Sequence, residues 1–420
     1  MKIVHVISGL RMGGAETMLW KLLTASSAAD LEQEVVSLTD VGPVGERMKG
    51  NGFRIRALGM RGLGGKLAGA VRLPLHLRRS DPDVVQTWLY HADLVGGLAA
   101  RLGTRAPVVW NLRHSDLDAS LGSLHRTVAA CARLSRWIPT RIVSCSERAR
   151  HIHAAIGYPD ARMVVIPNGF DLDRFRPDAR ARAEVRRELR LPADALVVGI
   201  VGRYHPQKDH ETFLKAAALI AKSRERMRFL LCGPLCTADN MALLSAIERV
   251  GLQEACVLAG RREDVERIHA ALDVECSSSA FGEGFSNVLG EAMACGVPCV
   301  ATDVGDAADI IGPTGRVVPR RDALALASAI RALADLREEE RRRLGEAARA
   351  RIAQRFGLAS VQARYEALWR EVAAEARTRG AAATHAPHPA LRADLSPRGK
   401  GNRGALPLSP AGRGSGEGDR

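Results

Sequence analysis

Glu283 and Glu291 stand eight positions apart in the run FGEGFSNVLGEAMACGVPCVATDVG, which spans 281–305, with Gly284, Ser286 and Asn287 just inside the first glutamate. Val288, Leu289, Ala292 and Met293 follow helical spacing, Gly296 stops that helix, and 298–302 reads as a buried strand. A loop that ends on a helix start leaves backbone N–H groups unpaired and carries partial positive charge, which suits an anion such as phosphate. Eight residues of helix turn through roughly 800°, which would return Glu291 to near the face of Glu283. A carboxylate there cannot attract phosphate, but it can accept from both hydroxyls of a vicinal diol. Diphosphate at the helix start with ribose beside it describes a nucleotide. The competing reading is an ordinary strand–helix unit with two incidental glutamates.

Two glycine-containing turns offer the same chemistry. A strand over 2–7 runs into SGLRMGGAE, and Gly13 and Gly14 let backbone approach a phosphate before a helix from Glu16 to about Ala25. This turn lacks the G-x-G-x-x-G order of a dinucleotide site. After a strand over 196–201, the turn GRYHPQKD sets Arg203 and Lys208 at a strand's C-terminal end, where a diphosphate needs neutralising. Asp171-Leu172-Asp173 has the order of a metal signature but falls in a connecting segment, so no metal site is assigned. The C-x3-C pairs Cys232/Cys236 and Cys295/Cys299 have apolar neighbours and no matching histidine, so they read as core cysteines rather than zinc ligands.

The string EGFSNVLGEAMACGVP closely resembles the E-x7-E segment of the retaining, nucleotide-sugar-dependent glycosyltransferases of family 4, which have the GT-B fold. VGRYHPQKDHETFLKA is similar to that family's donor-phosphate motif, IPNGFDLDRF to its interdomain segment, and the N-terminal glycine turn to its glycine loop. The resemblance covers about 1–377. It implies that Arg203, Lys208 and the amides of Gly284, Phe285, Ser286, Asn287 and Val288 stabilise the leaving diphosphate. It further implies that Glu291 holds ribose, that Glu283 holds a sugar hydroxyl, and that the turn ending at Val265 borders the nucleobase. Gly13 and Gly14 would lie against the donor phosphate or the acceptor. His114, in the loop Arg113-His114-Ser115-Asp116, matches the histidine that reaches the transferred sugar.

No metal and no cofactor is implied beyond the nucleotide sugar, which is a donor substrate. The implied acceptor is a hydroxyl of a carbohydrate or lipid-linked surface-polysaccharide intermediate, handled at the cytoplasmic membrane face. Two alternatives stay open: a nucleotide-sugar epimerase of the same fold, which needs different catalytic carboxylates, and a non-catalytic binder. The second would be expected to have lost Arg203, Lys208 or Glu291.

Composition sets the outer bounds. A chain of 420 residues with 46% hydrophobic and 26% charged content can form two or three soluble domains. Only 4% of residues are aromatic, and no nucleic-acid recognition motif occurs, so the net charge of +14 points to nucleotide diphosphate or acidic headgroups rather than nucleic acid. No run approaches the roughly 20 apolar residues of a membrane span, the N-terminal strand is too short for a signal peptide, and scattered cysteines fit a reducing cytosol.

Strands expected at 34–38, 52–57, 83–87, 108–111 and 141–145 alternate with helices, and a second set follows at 196–201, 229–233, 256–258 and 274–276. That rhythm predicts an α/β chain of two Rossmann-like, doubly wound parallel sheets facing a central cleft. The expected divisions are an acceptor-side domain over 1–170 and a donor domain over 171–357. A crossover helix over 358–377 and a disordered low-complexity tail over 378–420 complete the chain. Helices are expected over about 321–356.

Two basic stretches remain. Residues 61–79 carry Arg61, Lys66, Arg72, Arg78 and Arg79 among Leu63, Leu67, Val71, Leu73 and Leu75, and 124–141 place Arg126, Arg133, Arg136 and Arg141 around Leu134, Trp137 and Ile138. The expectation is amphipathic helices with their apolar side on the sheet. The alternative is a peripheral site for an anionic membrane.

Overall fold

The first strand, KIVHVI, shows no polar–apolar alternation: its residues are apolar on both faces apart from Lys2 and His5, and all but the first are buried. Such runs belong to parallel sheets covered by helices on both sides. The computed structural model describes residues 1–385 except Ser27, Ala29, 115–123, Ser223 and Glu225, and for 380–385 the helical backbone alone. Within these residues the first sheet comprises β1 (Lys2–Ile7), β2 (Glu32–Ser37), β3 (Arg54–Ala57), β4 (Val84–Trp88), β5 (Val108–Leu112), β6 (Arg141–Ser144) and β7 (Met163–Val165). The second comprises β8 (Leu196–Val201), β9 (Met227–Cys232), β10 (Cys256–Gly260), β11 (Val274–Ser277), β12 (Cys299–Thr302) and β13 (Arg316–Val318).

The strand orders are β3-β2-β1-β4-β5-β6-β7 and β10-β9-β8-β11-β12-β13, and every pairing is parallel. Both are doubly wound sheets, as expected. Strand order reverses between β1 and β4 and again between β8 and β11, so each sheet opens a crevice beyond the C-terminal ends of those strands. Residues Met1–Ala376 form one compact unit containing both sheets.

The chain crosses between the sheets twice, and the crossings pair. Phe170 accepts the N–H of Leu358 at 2.9 Å and donates its own to Phe356 at 2.9 Å. The helix Leu358–His385 then returns to the first sheet, where Val361, Tyr365, Leu368 and Trp369 share a core with Ile3, Ile7, Met18 and Leu19. Its buried polar atoms are matched rather than stranded: Trp369 Nε1 donates to Gln86 Oε1 at 2.9 Å, and Asn111 Nδ2 donates to the Tyr365 hydroxyl at 3.0 Å. The helix continues through 378–385, past the expected boundary at 377, and the rest of the expected tail lies outside the described residues.

Three expectations change in detail. The short strands β7 and β13 were not anticipated. The span 321–356 is two helices, Ala323–Ala334 and Glu338–Phe356, because Glu340 turns back to accept the backbone N–H of Arg337 at 3.0 Å and starts a new helix. The helix Gly62–Ser80 does not lay all its leucines on the sheet: it buries Gly69, Leu73 and Leu77, and leaves Leu63, Leu67, Val71 and Leu75 exposed. Cys232, Cys236, Cys295 and Cys299 are buried free thiols in the second domain's core.

Candidate active site

Loops from the two sheets meet around a cavity of about 760 Å³. The first domain contributes Gly13 and Gly14 after β1, Leu89 after β4, Arg113 and His114 after β5, and Cys145 after β6. The second contributes Arg203, His205, Gln207 and Lys208 after β8, and Glu283, Gly284, Phe285, Asn287 and Val288 after β11. Every one follows the C-terminal end of a strand, where doubly wound sheets hold ligands.

The two second-domain loops are laced together. Lys208 Nζ donates to Glu283 Oε1 at 2.5 Å, and Ser279 Oγ donates to the same oxygen at 2.8 Å. Gln207 Nε2 donates to the Gly282 carbonyl at 3.0 Å. Gly284 then touches the first domain so closely that a Cβ there would lie 2.6 Å from the Arg113 carbonyl oxygen and 3.2 Å from Cys145 Sγ. No side chain fits.

The helix Asn287–Ala294 starts on the cavity wall. Its N-cap, Ser286, makes no side-chain cap bond, and Ser286 Oγ is buried without a partner among the described residues. The first-turn amides are therefore left for a ligand to satisfy. Asn287 Oδ1 accepts from Asn168 Nδ2 at 2.7 Å, and Asn168 Oδ1 in turn accepts from Arg113 Nη2. This chain of amides ties the helix start to the first domain.

Opposite stands His114, with the Tyr90 ring stacked on it at 5.5 Å between centroids. Burial and then the adjacent Arg113 charge push its pKa below the usual histidine value, so the imidazole is neutral at pH 7. Its Nδ1 has no partner among the described residues. Arg113 rests 5.6 Å from the Trp88 ring, and its Nη1 likewise lacks a partner among the described residues. Glu16 also lines the cavity, and burial raises the pKa of its carboxyl. The site thus combines three cations, Arg113, Arg203 and Lys208, a helix start and neutral hydrogen-bonding groups.

Of the residues singled out from sequence, Gly13, Gly14, His114, Arg203, Lys208, Glu283, Gly284, Phe285, Asn287 and Val288 line this one cavity. Ser286 is buried in the same loop. Val265 and Glu291 are not among the lining residues. Val265 opens the helix Val265–Ala271, and Glu291 pairs with Lys21 of the first domain, Nζ to Oε1 3.2 Å. The helical phasing argument for Glu291 fails for a definite reason: the helix begins only at Asn287, so half of the interval from Glu283 is loop.

Arg113, Asn168, Gln207, Glu16 and Lys21 were missed. Arg113 could have been flagged, since it precedes His114 at a strand's C-terminal end, but nothing local marks Lys21. Ser115 and Asp116 lie outside the described residues. The Asp171-x-Asp173 order has a local explanation, because Asp171 Oδ1 accepts the backbone N–H groups of Asp173 and Arg174 at 3.0 Å each and so caps a turn.

Comparison with known proteins sets this geometry in context. Residues 12–174 match the family described as Glycosyltransferase Family 4, and residues 195–335 match the one described as Glycosyl transferases group 1. The chain is 31% identical over 317 residues to the D-inositol 3-phosphate glycosyltransferase of Streptomyces coelicolor, covering 67% of each chain. It is 27% identical over 316 residues to EpsF of Bacillus subtilis (strain 168), named as a glycosyltransferase, covering 72% of this chain and 79% of that one. Among solved structures, Anabaena HepE in complex with UDP superposes with a TM-score of 0.78 at 21% identity, over 88% of this chain and all 100% of the other. The sucrose-phosphate synthase of Thermosynechococcus elongatus superposes with a TM-score of 0.76 at 20% identity, over 89% and 100%.

Proposed function

This chain belongs to glycosyltransferase family 4 and has the GT-B fold, and from that premise we propose that it takes a sugar from a nucleoside diphosphate sugar and passes it, with retention of anomeric configuration, to a hydroxyl acceptor. The observation that carries this reading is the Lys208–Glu283 pair at 2.5 Å, in the cavity that Arg203, the start of the Asn287–Ala294 helix and His114 also line. An incoming diphosphate competes with Glu283 for Lys208, and the displaced carboxylate becomes available to a sugar hydroxyl. Charge then moves in one direction: the bond from the anomeric carbon to the phosphate oxygen breaks, and the acceptor oxygen bonds to that carbon from the same face. The acceptor proton passes to the leaving phosphate. Arg203, Lys208 and the helix-start amides stabilise the charge that develops there, without reorganising as it forms.

His114, neutral at pH 7, is suited to a hydrogen bond with a hydroxyl of the transferred sugar. Crystals of the HepE relative hold UDP, UDP with glucose, and UDP-glucose, which makes uridine nucleotides the first donors to test. The acceptor we favour is a lipid-linked or surface-polysaccharide intermediate at the cytoplasmic face. Thermal-shift screening against a panel of nucleotide sugars, followed by NMR of the product made from the best donor, tests the reading. A stabilising nucleotide sugar and a product with the donor's anomeric configuration are expected. Inversion, or no stabilisation by any donor, overturns it.

A further inference from the structure

We propose that the Gly62–Ser80 helix seats the first domain on an anionic phospholipid bilayer, with headgroup phosphates entering a cationic cavity beside it. Leu63, Leu67, Val71 and Leu75 are 78%, 63%, 61% and 46% exposed. Isolated surface leucines are ordinary in folded proteins, but these four recur every fourth residue of one helix. Each step of four advances about 40° around the axis, so they form one slowly winding outward stripe. Neighbouring elements expose two further apolar side chains. The next helix, Tyr90–Gly103, packs so tightly on this one that a Cβ on Gly103 would lie 2.3 Å from the Pro74 carbonyl oxygen, and its Leu102 is 80% exposed. Arg101 of that helix donates to the carbonyls of Trp137 and Ile138, which brings in the 68% exposed Trp137.

Charge decides what covers this face. Beside Leu75 lies a cavity of about 550 Å³ lined by Lys2, Arg56, Arg72 and Arg79 against a single carboxylate, Glu34. Glu34 is already engaged by His76 at 3.0 Å and by Ser80, and Lys2 by Glu32 at 3.7 Å, while the side chains of Arg56, Arg72 and Arg79 have no hydrogen-bond or ion-pair partner among the described residues. A second copy of this chain would bring like-charged arginines against each other. A bilayer with phosphate headgroups supplies both an apolar layer for the stripe and anions for the cavity, as an in-plane amphipathic helix requires. The stripe starts just after the C-terminal end of β3, the end of the sheet at which the active-site loops lie. The inference rests on the lipid-linked reading of the acceptor for its purpose, but it can be tested without any sugar transfer.

The test is co-sedimentation of the full chain with vesicles of equal phosphatidylglycerol and phosphatidylcholine, and with phosphatidylcholine alone. Binding to the anionic vesicles is expected, weakening as salt rises from about 0.1 M to about 1 M. Leu63→Ser/Leu67→Ser/Val71→Ser should weaken it by on the order of 10-fold or more, and Arg56→Ala/Arg72→Ala/Arg79→Ala should remove most of the preference for anionic lipid. All six positions are exposed, so both variants should melt with the wild type. Absent wild-type binding, or undiminished binding by both variants, overturns the proposal. So does a wild-type dimer that the leucine variant converts to monomer, since the stripe would then be a subunit interface. Transfer to a soluble acceptor is measured separately, so failure of docking leaves the transferase reading intact, and failure of transfer leaves docking intact.

Discussion

Lys21 and Glu291 link the two domains in a largely buried ion pair, Nζ to Oε1 3.2 Å, with side chains only 9% and 14% exposed. The Lys21 ammonium also sits 5.5 Å and 5.7 Å from the centroids of the Phe170 and Phe175 rings, next to the crossing segment. Removing either partner leaves the other charge desolvated, at a cost of about 3 kcal/mol, the low end for a buried pair because both groups keep some exposure. Lys21→Met and Glu291→Gln should therefore both lower the urea midpoint. If Glu291 also serves the ribose, only its variant should weaken nucleotide binding by calorimetry. Equal weakening by both would show that the pair acts through domain arrangement, and the ribose assignment would fall.

Arg203 and Lys208 should matter to turnover far more than to stability, because both side chains face the open cavity. Arg203→Ala and Lys208→Ala are each expected to lower kcat by on the order of 10²-fold, the effect of losing one preorganised group aimed at developing charge. Lys208→Ala has a second consequence, since it frees Glu283 from its 2.5 Å partner next to the donor phosphates. Donor KM should accordingly rise more for Lys208→Ala than for Arg203→Ala. Steady-state kinetics read both quantities, and a double variant with wild-type turnover would sink the donor-site assignment.

Both sheets and the cavity wall were legible in the sequence because their signals are local. Buried parallel strands such as β1 and β8 are continuous apolar runs, and polar residues just past them are bound to reach the crevice. Arg203 and Lys208 were singled out on that logic, and Glu283 on the loop and helix start that follow it. The phasing argument for Glu291 does not carry through, because it extended helical geometry over 283–286, where the chain is not helical. Lys21 and Asn168 were missed for the complementary reason: each acts across 119 or more residues of chain, Asn168 on Asn287 and Lys21 on Glu291, and nothing near either one announces the partner. The outward stripe of the Gly62–Ser80 helix was misread because an apolar periodicity states that one face is apolar, not which side of the helix the sheet lies on.

Asp93 gives the first domain a stability that falls as pH rises. It is fully buried, accepts from the Thr87 hydroxyl and the Asn111 N–H, and its other oxygen has no partner among the described residues. Burial pushes its pKa up to about 8, against the ordinary 3.8. Between those values the folded chain holds a proton that the unfolded chain has released, so the folded state binds more protons. Stability is then fully present below the unfolded pKa and is lost as pH rises toward 8, at no more than about 1.4 kcal/mol per pH unit. Asp93→Asn keeps the shape and removes the titration. Urea midpoints from pH 6.5 to 8 should slope downward for the wild type relative to this variant, and parallel curves would show that Asp93 is ionised in the fold.

His114 should contribute through a hydrogen bond rather than through charge. Burial first, and then the neighbouring Arg113, hold its pKa below the ordinary 6.5, so its protonated form appears only at acidic pH. The stacked Tyr90 ring fixes the imidazole plane, and the Tyr90 hydroxyl is itself held by His153 Nε2 at 2.7 Å. A neutral hydrogen bond is worth about 0.5–1.5 kcal/mol, so His114→Ala should lower kcat/KM by roughly 2- to 13-fold. His114→Gln, which offers both a donor and an acceptor, should recover part of that loss. The pH profile separates this role from proton transfer. A group that is neutral throughout the neutral range leaves kcat/KM flat from about pH 6.5 to 8 in the wild type and in the glutamine variant alike. A titration in that window that disappears in His114→Gln would make the histidine an acid–base group, and the leaving phosphate would no longer be needed to take the acceptor's proton.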